Sequence, residues 1–164
     1  RRRVAGKSFA EDGEGSKLIC KLLAHPALYT SLLCSIFKRM SKGRILIIED
    51  NMDTYELVRF ILEKDGYETF LAMNGRDGVN ATNKQNPDLI IMDLSMPEMD
   101  GWTATRLIKE NTQTSSIPLI ALTAHALPGD RQRAMDAGCD DYIAKPMDLL
   151  DMLETVNGWM QRGA

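Results

Sequence analysis

Short apolar runs alternate with segments of helical spacing five times between residue 44 and the end of the chain. Most of these runs are continuous in Ile and Leu, as expected for parallel strands that are buried on both faces. The segments between them place apolar residues three and four positions apart, which is the spacing of an amphipathic helix. Such repeats of strand and helix predict an α/β fold, in which helices cover both faces of a parallel sheet.

Glycines and a capping residue help to set the bounds of these elements. Gly66 and Gly138 follow the first and fourth helical segments, where a glycine commonly ends a helix. Asp148 stands where the last helix needs an N-cap. The predicted strands cover residues 44–49, 67–72, 88–93, 117–123 and 141–144, and the predicted helices cover residues 53–65, 75–85, 101–110, 129–137 and 148–160.

Charge divides the chain into two regions. Residues 1–43 contain nine Lys or Arg and three Asp or Glu, a net charge of +6, whereas residues 44–164 carry a net charge of −9. An acidic region of this kind repels phosphates, so we expect no binding to nucleic acid. We therefore divide the chain into an N-terminal extension, residues 1–41, and a folded domain, residues 42–164.

The extension has two interpretations. It is polar and contains glycines up to about residue 16, which indicates poor order, and beyond that it has the pattern of a helix broken near Pro26. It could be a linker or interaction helix from a larger protein, or an upstream extension from a misassigned start codon. We favour the second interpretation, which rapid tryptic loss of residues 1–40 from a stable core would support.

The cysteines and the apolar stretches argue against other classes of protein. Cys20, Cys34 and Cys139 are odd in number and lack the Cys-x-x-Cys spacing of zinc or redox sites. We therefore expect free thiols and a reducing, cytoplasmic location. The longest apolar stretch, residues 27–37, is too short to span a bilayer, so we expect no membrane association.

Polar residues follow the predicted strands at the edge where open α/β sheets place their functional crevice. Glu49 and Asp50 follow the first strand, and Asp93 ends the third. If these strands are neighbours, about 4.8 Å apart, three carboxylates share one crevice and need a cation to relieve their repulsion. Oxygen ligands with open positions suit Mg²⁺, which binds carboxylates together with a phosphate.

The same edge of the sheet has the parts needed for phosphoryl transfer. An aspartate such as Asp93 can attack phosphorus and form an aspartyl phosphate. Mg²⁺ and the Lys145 ammonium would neutralise the phosphoryl oxygens, and the Thr123 hydroxyl would donate a hydrogen bond. Each residue alone has a simpler explanation, since acids and lysines at strand ends are mostly solvated. The joint pattern favours the phosphoryl site, because four of the five strands end in a residue suited to it.

The segment from about residue 42 to residue 162 resembles the receiver domain of bacterial response regulators. The resemblance extends to single-domain regulators of the chemotaxis and polar-differentiation type and to receivers attached to hybrid kinases. It implies a flavodoxin-like fold, a doubly wound sheet of five parallel strands in the order 2-1-3-4-5 with five helices. The matching motifs are Ile-Leu-Ile-Ile-Glu-Asp-Asn at 45–51, Asp-Leu-Ile-Ile-Met-Asp-Leu-Ser-Met-Pro-Glu-Met-Asp-Gly at 88–101, Ile-Pro-Leu-Ile-Ala-Leu-Thr-Ala at 117–124 and Asp-Tyr-Ile-Ala-Lys-Pro at 141–146.

The resemblance implies a role for each residue of the phosphoryl site. Asp93 would be the phosphoacceptor. Asp50 and Asp93 would bind Mg²⁺ through their carboxylates, with the Ser95 backbone carbonyl as the third protein ligand. Glu49 would act through a water molecule, and Lys145 would contact the phosphoryl group.

The resemblance also implies a switch. Thr123 would swing towards the phosphate, and Tyr142 would rotate inward to fill the space that it leaves. Ala124 is small enough to leave room for that rotation. The peptide bond before Pro146 is expected to be cis, which is uncommon for any X–Pro bond.

The implied function is that of a phosphorylation-controlled binding protein rather than an enzyme in the usual sense. It would assist its own phosphorylation and dephosphorylate itself slowly. A sensor histidine kinase or a histidine phosphotransfer protein would donate the phosphoryl group. A downstream effector protein would bind the face formed by the fourth helix, fifth strand and fifth helix, residues 128–160.

Four other interpretations compete with that of a separate, phosphorylation-controlled binding protein. The chain could be a receiver module cut from a hybrid histidine kinase, or a receiver that acts only as a scaffold. A haloacid-dehalogenase-like phosphotransferase needs Asp-x-Asp after its first strand, whereas Asp50 and Asp53 are one residue too far apart. A flavin or dinucleotide binder needs a phosphate-binding loop after the first strand, where the acidic pair would repel phosphate.

Overall fold

The computed structural model describes residues 41–124 and 130–162. Residues 1–40 lie outside the described part, so the proposed N-terminal extension stays a prediction. Within the described residues, no helix has both the length and the apolar character needed to cross a bilayer. The strands are β1 (Arg44–Ile48), β2 (Glu68–Ala72), β3 (Leu89–Asp93), β4 (Leu119–Thr123) and β5 (Asp141–Ala144), and the helices are α1 (Met52–Lys64), α2 (Gly75–Gln85), α3 (Gly101–Glu110), α4 (Asp130–Asp136) and α5 (Leu149–Arg162).

The five strands form one parallel sheet in the order β2-β1-β3-β4-β5. This order confirms the predicted doubly wound fold. β1 and β3 are direct neighbours, with Ile45 opposite Leu89 and Ile48 opposite Met92. Their carboxyl ends therefore lie side by side, which is the arrangement that the site requires.

Alternate residues of each strand face opposite layers of helices. On β1, Leu46 and Ile48 belong to a core cluster that includes residues of α3 and α4, whereas Ile45 and Ile47 belong to a second cluster with residues of α1 and α5. These four side chains have no exposed surface. Both faces of the sheet are covered, which explains why the strand is apolar throughout and does not alternate.

Short polar residues that follow the strands cap the amino ends of the helices. Asn51, Asn74 and Asp100 each accept a hydrogen bond from a backbone N–H three residues later. Asp148 accepts hydrogen bonds from the backbone N–H groups of the second and third residues of α5, so its predicted role as an N-cap is confirmed. The helices are thereby anchored at their amino ends, close to the site.

The predicted element bounds differ from the observed ones by at most two residues. β4 begins at Leu119 rather than at the predicted residue 117. The Pro118 carbonyl accepts a hydrogen bond from the Ile90 N–H, but proline has no N–H to donate in return. α1 ends before Gly66, whose φ of 98° is the left-handed conformation that favours glycine.

Gly101 lets α3 begin directly against the end of β3. A Cβ at this position would overlap the carbonyl oxygen of Asp93 and lie 2.6 Å from the Cα of Leu94. The Gly101 N–H donates to the Leu94 carbonyl at 3.3 Å. A larger residue would force the backbone of the loop away from Asp93.

We expect Gly101→Ala to lower the free energy of unfolding by about 1–3 kcal/mol, because the added methyl meets backbone atoms that cannot yield. Gly158→Ala is the matched control within α5, where an added Cβ would meet no atom of the described residues within 4 Å. We expect that substitution to raise the free energy of unfolding by about 0.5–1 kcal/mol. Urea unfolding measures both, and equal effects at the two positions would contradict the assigned close approach.

Candidate phosphoryl and metal site

Three carboxylates meet at the carboxyl edge of β1 and β3. Asp93 is the last residue of β3, and Glu49 and Asp50 directly follow β1. One carboxylate oxygen of each residue lies within 4.8 Å of the others. Glu49 and Asp93 are buried, whereas Asp50 is half-buried.

The Lys145 ammonium lies between two of these carboxylates. Its Nζ is 2.7 Å from Glu49 Oε2 and 2.7 Å from Asp93 Oδ2. The side chains of Glu49 and Asp93 are only 1% and 7% exposed, so these charges are shielded from water. The Lys145 backbone N–H donates to the Thr123 carbonyl at 2.7 Å, which fixes the lysine to the end of β4.

Burial and charge act against each other on the pKa values of this cluster. Burial raises the pKa of the Glu49 carboxyl above its usual range, and it outweighs the lowering effect of the Lys145 hydrogen bond. Burial alone would lower the pKa of Lys145, but the hydrogen bonds to Asp93 and Glu49 outweigh it and raise that pKa. The ammonium therefore stays protonated and partly neutralises the three acids.

Backbone N–H groups orient the buried carboxylates. The Ser95 N–H donates to Asp93 Oδ1 at 2.8 Å, and the Asn51 N–H donates to Glu49 Oε1 at 3.3 Å. Asp93 is thus held through one oxygen by a backbone amide and through the other by Lys145. Its orientation is fixed by two groups that follow different strands, β3 and β5.

The residues predicted to form the switch lie on β4, directly after β4 and on β5. Thr123 ends β4, where it is buried beside the β5 residue Ala144. Ala124 follows it and is exposed. Tyr142 is half-buried and packs against the core cluster on the α2–α4 side of the sheet.

The peptide bond between Lys145 and Pro146 is cis. Residues 128 and 129 of the predicted effector face lie outside the described part of the chain.

The chemistry of this donor set fits a hard divalent cation. Carboxylate oxygens are the ligands that Mg²⁺ prefers, and the partial exposure of Asp50 is compatible with the water ligands that Mg²⁺ usually keeps. Thiolate and imidazole ligands, which favour softer metals, are absent from this described cluster. The residues present therefore fit Mg²⁺.

A protein-family model matches most of the chain. The model of the response regulator receiver domain matches residues 45–157. The chain belongs to the response regulator receiver domain family. As a receiver domain it is part of two-component signalling, in which such domains bind Mg²⁺ at an acidic pocket and interact with histidine kinases and effectors.

Relatives of this receiver domain include a whole regulator and receivers of kinases. The polar-differentiation response regulator DivK of Brucella anthropi is 36% identical over 116 residues, which cover 71% of this chain and 94% of that protein. The receiver domain of a signal transduction histidine kinase from Syntrophus aciditrophicus is 39% identical with a TM-score of 0.68, and the match covers 73% of this chain and 90% of that one.

A third relative is the receiver domain of a sensor histidine kinase from Pseudomonas aeruginosa. It is 35% identical with a TM-score of 0.68, and the match covers 73% of this chain and 98% of that one. That structure holds a magnesium ion coordinated in its active-site cleft. Family membership decides against the haloacid-dehalogenase and dinucleotide-binding alternatives for this chain.

The sequence did not indicate two features of the site. Direct pairing of Lys145 with Glu49 depends on side-chain conformations that a motif does not specify. The matched motif includes Gly101, but it does not indicate that the backbone of this glycine lies close to Asp93.

We expect Lys145→Met to lower the free energy of unfolding by about 3 kcal/mol without Mg²⁺, because it leaves Glu49 and Asp93 buried without their cation. Added Mg²⁺ should restore more stability in this variant than in the unchanged protein, since the ion takes over the neutralisation. Urea unfolding with and without Mg²⁺ measures both effects.

Lys42→Met is the matched control for this substitution. Lys42 makes an ion pair with Asp65 at the same distance, 2.7 Å, but its side chain is 50% exposed. Its removal should change stability by less than about 1 kcal/mol, without dependence on Mg²⁺. A Lys145→Met variant as stable as this control would contradict the account of the site.

Proposed function

We propose that Asp93 accepts a phosphoryl group from a phosphohistidine of a sensor kinase or a histidine phosphotransfer protein. A carboxylate oxygen of Asp93 would attack phosphorus as the bond from phosphorus to the histidine nitrogen breaks, and the imidazole leaves. The observation that carries this proposal is the position of Asp93. It is buried, its carboxylate is oriented from both sides, and it lies within reach of one cation and two further acids.

In this proposal Mg²⁺ is held by the carboxylates of Asp50 and Asp93 and by the Ser95 backbone carbonyl, with Glu49 acting through water. The ion would supply charge neutralisation for the transferred phosphoryl oxygens. Lys145 would move from the free carboxylate to the phosphoryl group, while its contact with Glu49 keeps it at the edge of the sheet.

The phosphorylated state would be recognised through a shift between two conformations. A dianion on Asp93 would favour the arrangement in which the Thr123 hydroxyl points towards it, and Tyr142 would rotate into the space next to Ala124. The altered surface of α4, β5 and α5 would then bind an effector protein. Slow self-catalysed dephosphorylation would return the domain to its resting state.

The chain could act alone or as a module of a hybrid histidine kinase. The identity to DivK supports the first arrangement, and the two kinase receivers support the second. Action as a separate regulator in the cytoplasm, and a boundary between extension and domain near residue 42, stay predictions of this proposal.

We expect incubation with acetyl phosphate and Mg²⁺ to add about 80 Da to the intact protein, the mass of one phosphoryl group. Asp93→Asn should abolish the adduct, and so should removal of Mg²⁺ with a chelator. Asp53→Asn is the matched control, because Asp53 is an exposed acid in the first turn of α1. Intact-mass spectrometry is applied to the unchanged protein with and without Mg²⁺ and to each of the two variants with Mg²⁺. An adduct that persists in Asp93→Asn would show that another residue accepts the phosphoryl group.

A further inference from the structure

α4 is a short helix with one buried side chain among its described residues. It has seven residues, well below the length at which an isolated helix is stable. Ala134 is its buried residue, and Arg131, Arg133 and Asp136 are exposed. Within the described residues, exposed side chains such as Arg133 are therefore candidates for fixing the position of this helix.

One of these contacts joins α4 to α3. The Arg133 guanidinium lies over the ring of Trp102, with 5.2 Å between Cζ and the ring centroid. Trp102 is the second residue of α3 and is half-buried against the core cluster. It follows Gly101, whose backbone is held against Asp93 and Leu94. Trp102 thus belongs to an element that is fixed to the phosphoacceptor strand.

The two partners of this contact are connected to different parts of the proposed switch. Arg133 belongs to the helix that follows β4, and β4 ends in Thr123. Trp102 belongs to the helix that follows Asp93. In this structure the contact occurs together with the pairing of Asp93 Oδ2 and Lys145 Nζ at 2.7 Å. A displacement of α4 away from α3 beyond the reach of the arginine side chain would separate the guanidinium from the ring.

We propose that the Arg133–Trp102 contact is a latch that holds α4 against α3 in the unphosphorylated domain and opposes the switch. The inference rests on the proposed function, since the switch it opposes is the one that phosphorylation of Asp93 drives. A contact made only in the resting state lowers the apparent affinity for any ligand of the switched state. Loss of the latch should therefore strengthen the binding of a phosphoryl mimic.

Beryllofluoride with Mg²⁺ is a suitable mimic, and fluorine NMR measures its binding without relying on tryptophan fluorescence. We expect Arg133→Gln to bind it about two- to fivefold more tightly than the unchanged protein, the range that corresponds to one exposed cation–π contact. Trp102→Leu, which keeps an apolar side chain, should have a similar effect. The double variant should gain no more than either single variant, because both remove the same contact.

Arg131→Gln is the matched control. It removes the same charge from the same helix, two positions away, where side chains do not share a face. Its affinity for beryllofluoride should equal that of the unchanged protein. An equal gain in this control would overturn the latch, because general charge on α4 would then explain the effect. Unchanged affinity in Arg133→Gln would overturn it as well.

Hydrogen exchange provides a separate test in the absence of any phosphoryl mimic. The amides of α4 should exchange faster in Arg133→Gln than in Arg131→Gln, and unchanged exchange would overturn the latch alone. Failure of the unchanged protein to bind beryllofluoride is a different result. It would overturn the proposed function, and with it the inference that the contact opposes a switch.

Discussion

The Lys145 ammonium between Glu49 and Asp93 is the interaction on which the rest of the site depends. Three acids converge at one edge of the sheet, and two of them are buried. Without a cation their mutual repulsion and desolvation would oppose the convergence of the strand ends. Lys145 supplies that cation from the position directly after β5, which lies on the other side of β4 from β3. Formation of the sheet and formation of the site are therefore coupled, because the lysine reaches the acids only when β3, β4 and β5 are in register.

The same arrangement would let the site respond to the proposed phosphorylation of Asp93. Asp93 is fixed to α3 through the close approach of Gly101, whereas Thr123 leads from β4 towards α4. A new dianion on Asp93 would therefore act between α3, which the close approach of Gly101 holds to β3, and α4, which has one buried side chain among its described residues. Since packed cores resist gradual deformation, a change at Thr123 is expected to be passed to α4 as a shift between discrete positions.

The sequence predicted the sheet, the helices and the acids of the site, because these depend on local patterns. The continuous apolar run of β1 required burial on both faces, and Glu49, Asp50 and Asp93 followed from the edge at which parallel strands end. The pairing of Lys145 with Glu49 and the contact of Arg133 with Trp102 were not predictable in this way. They depend on the distances between elements and on side-chain rotamers, which periodicity does not encode. The start of β4 was missed because Pro118 is apolar like a strand residue but lacks the N–H of one.

The central claim is that Asp93 itself carries the phosphoryl group. Borohydride reduces an aspartyl phosphate to homoserine, so treatment of the phosphorylated protein followed by peptide mass spectrometry identifies the modified residue. We expect homoserine at position 93 and unchanged aspartate at positions 50 and 53. Homoserine at position 50, or its absence from a protein that has gained a phosphoryl group, would contradict it.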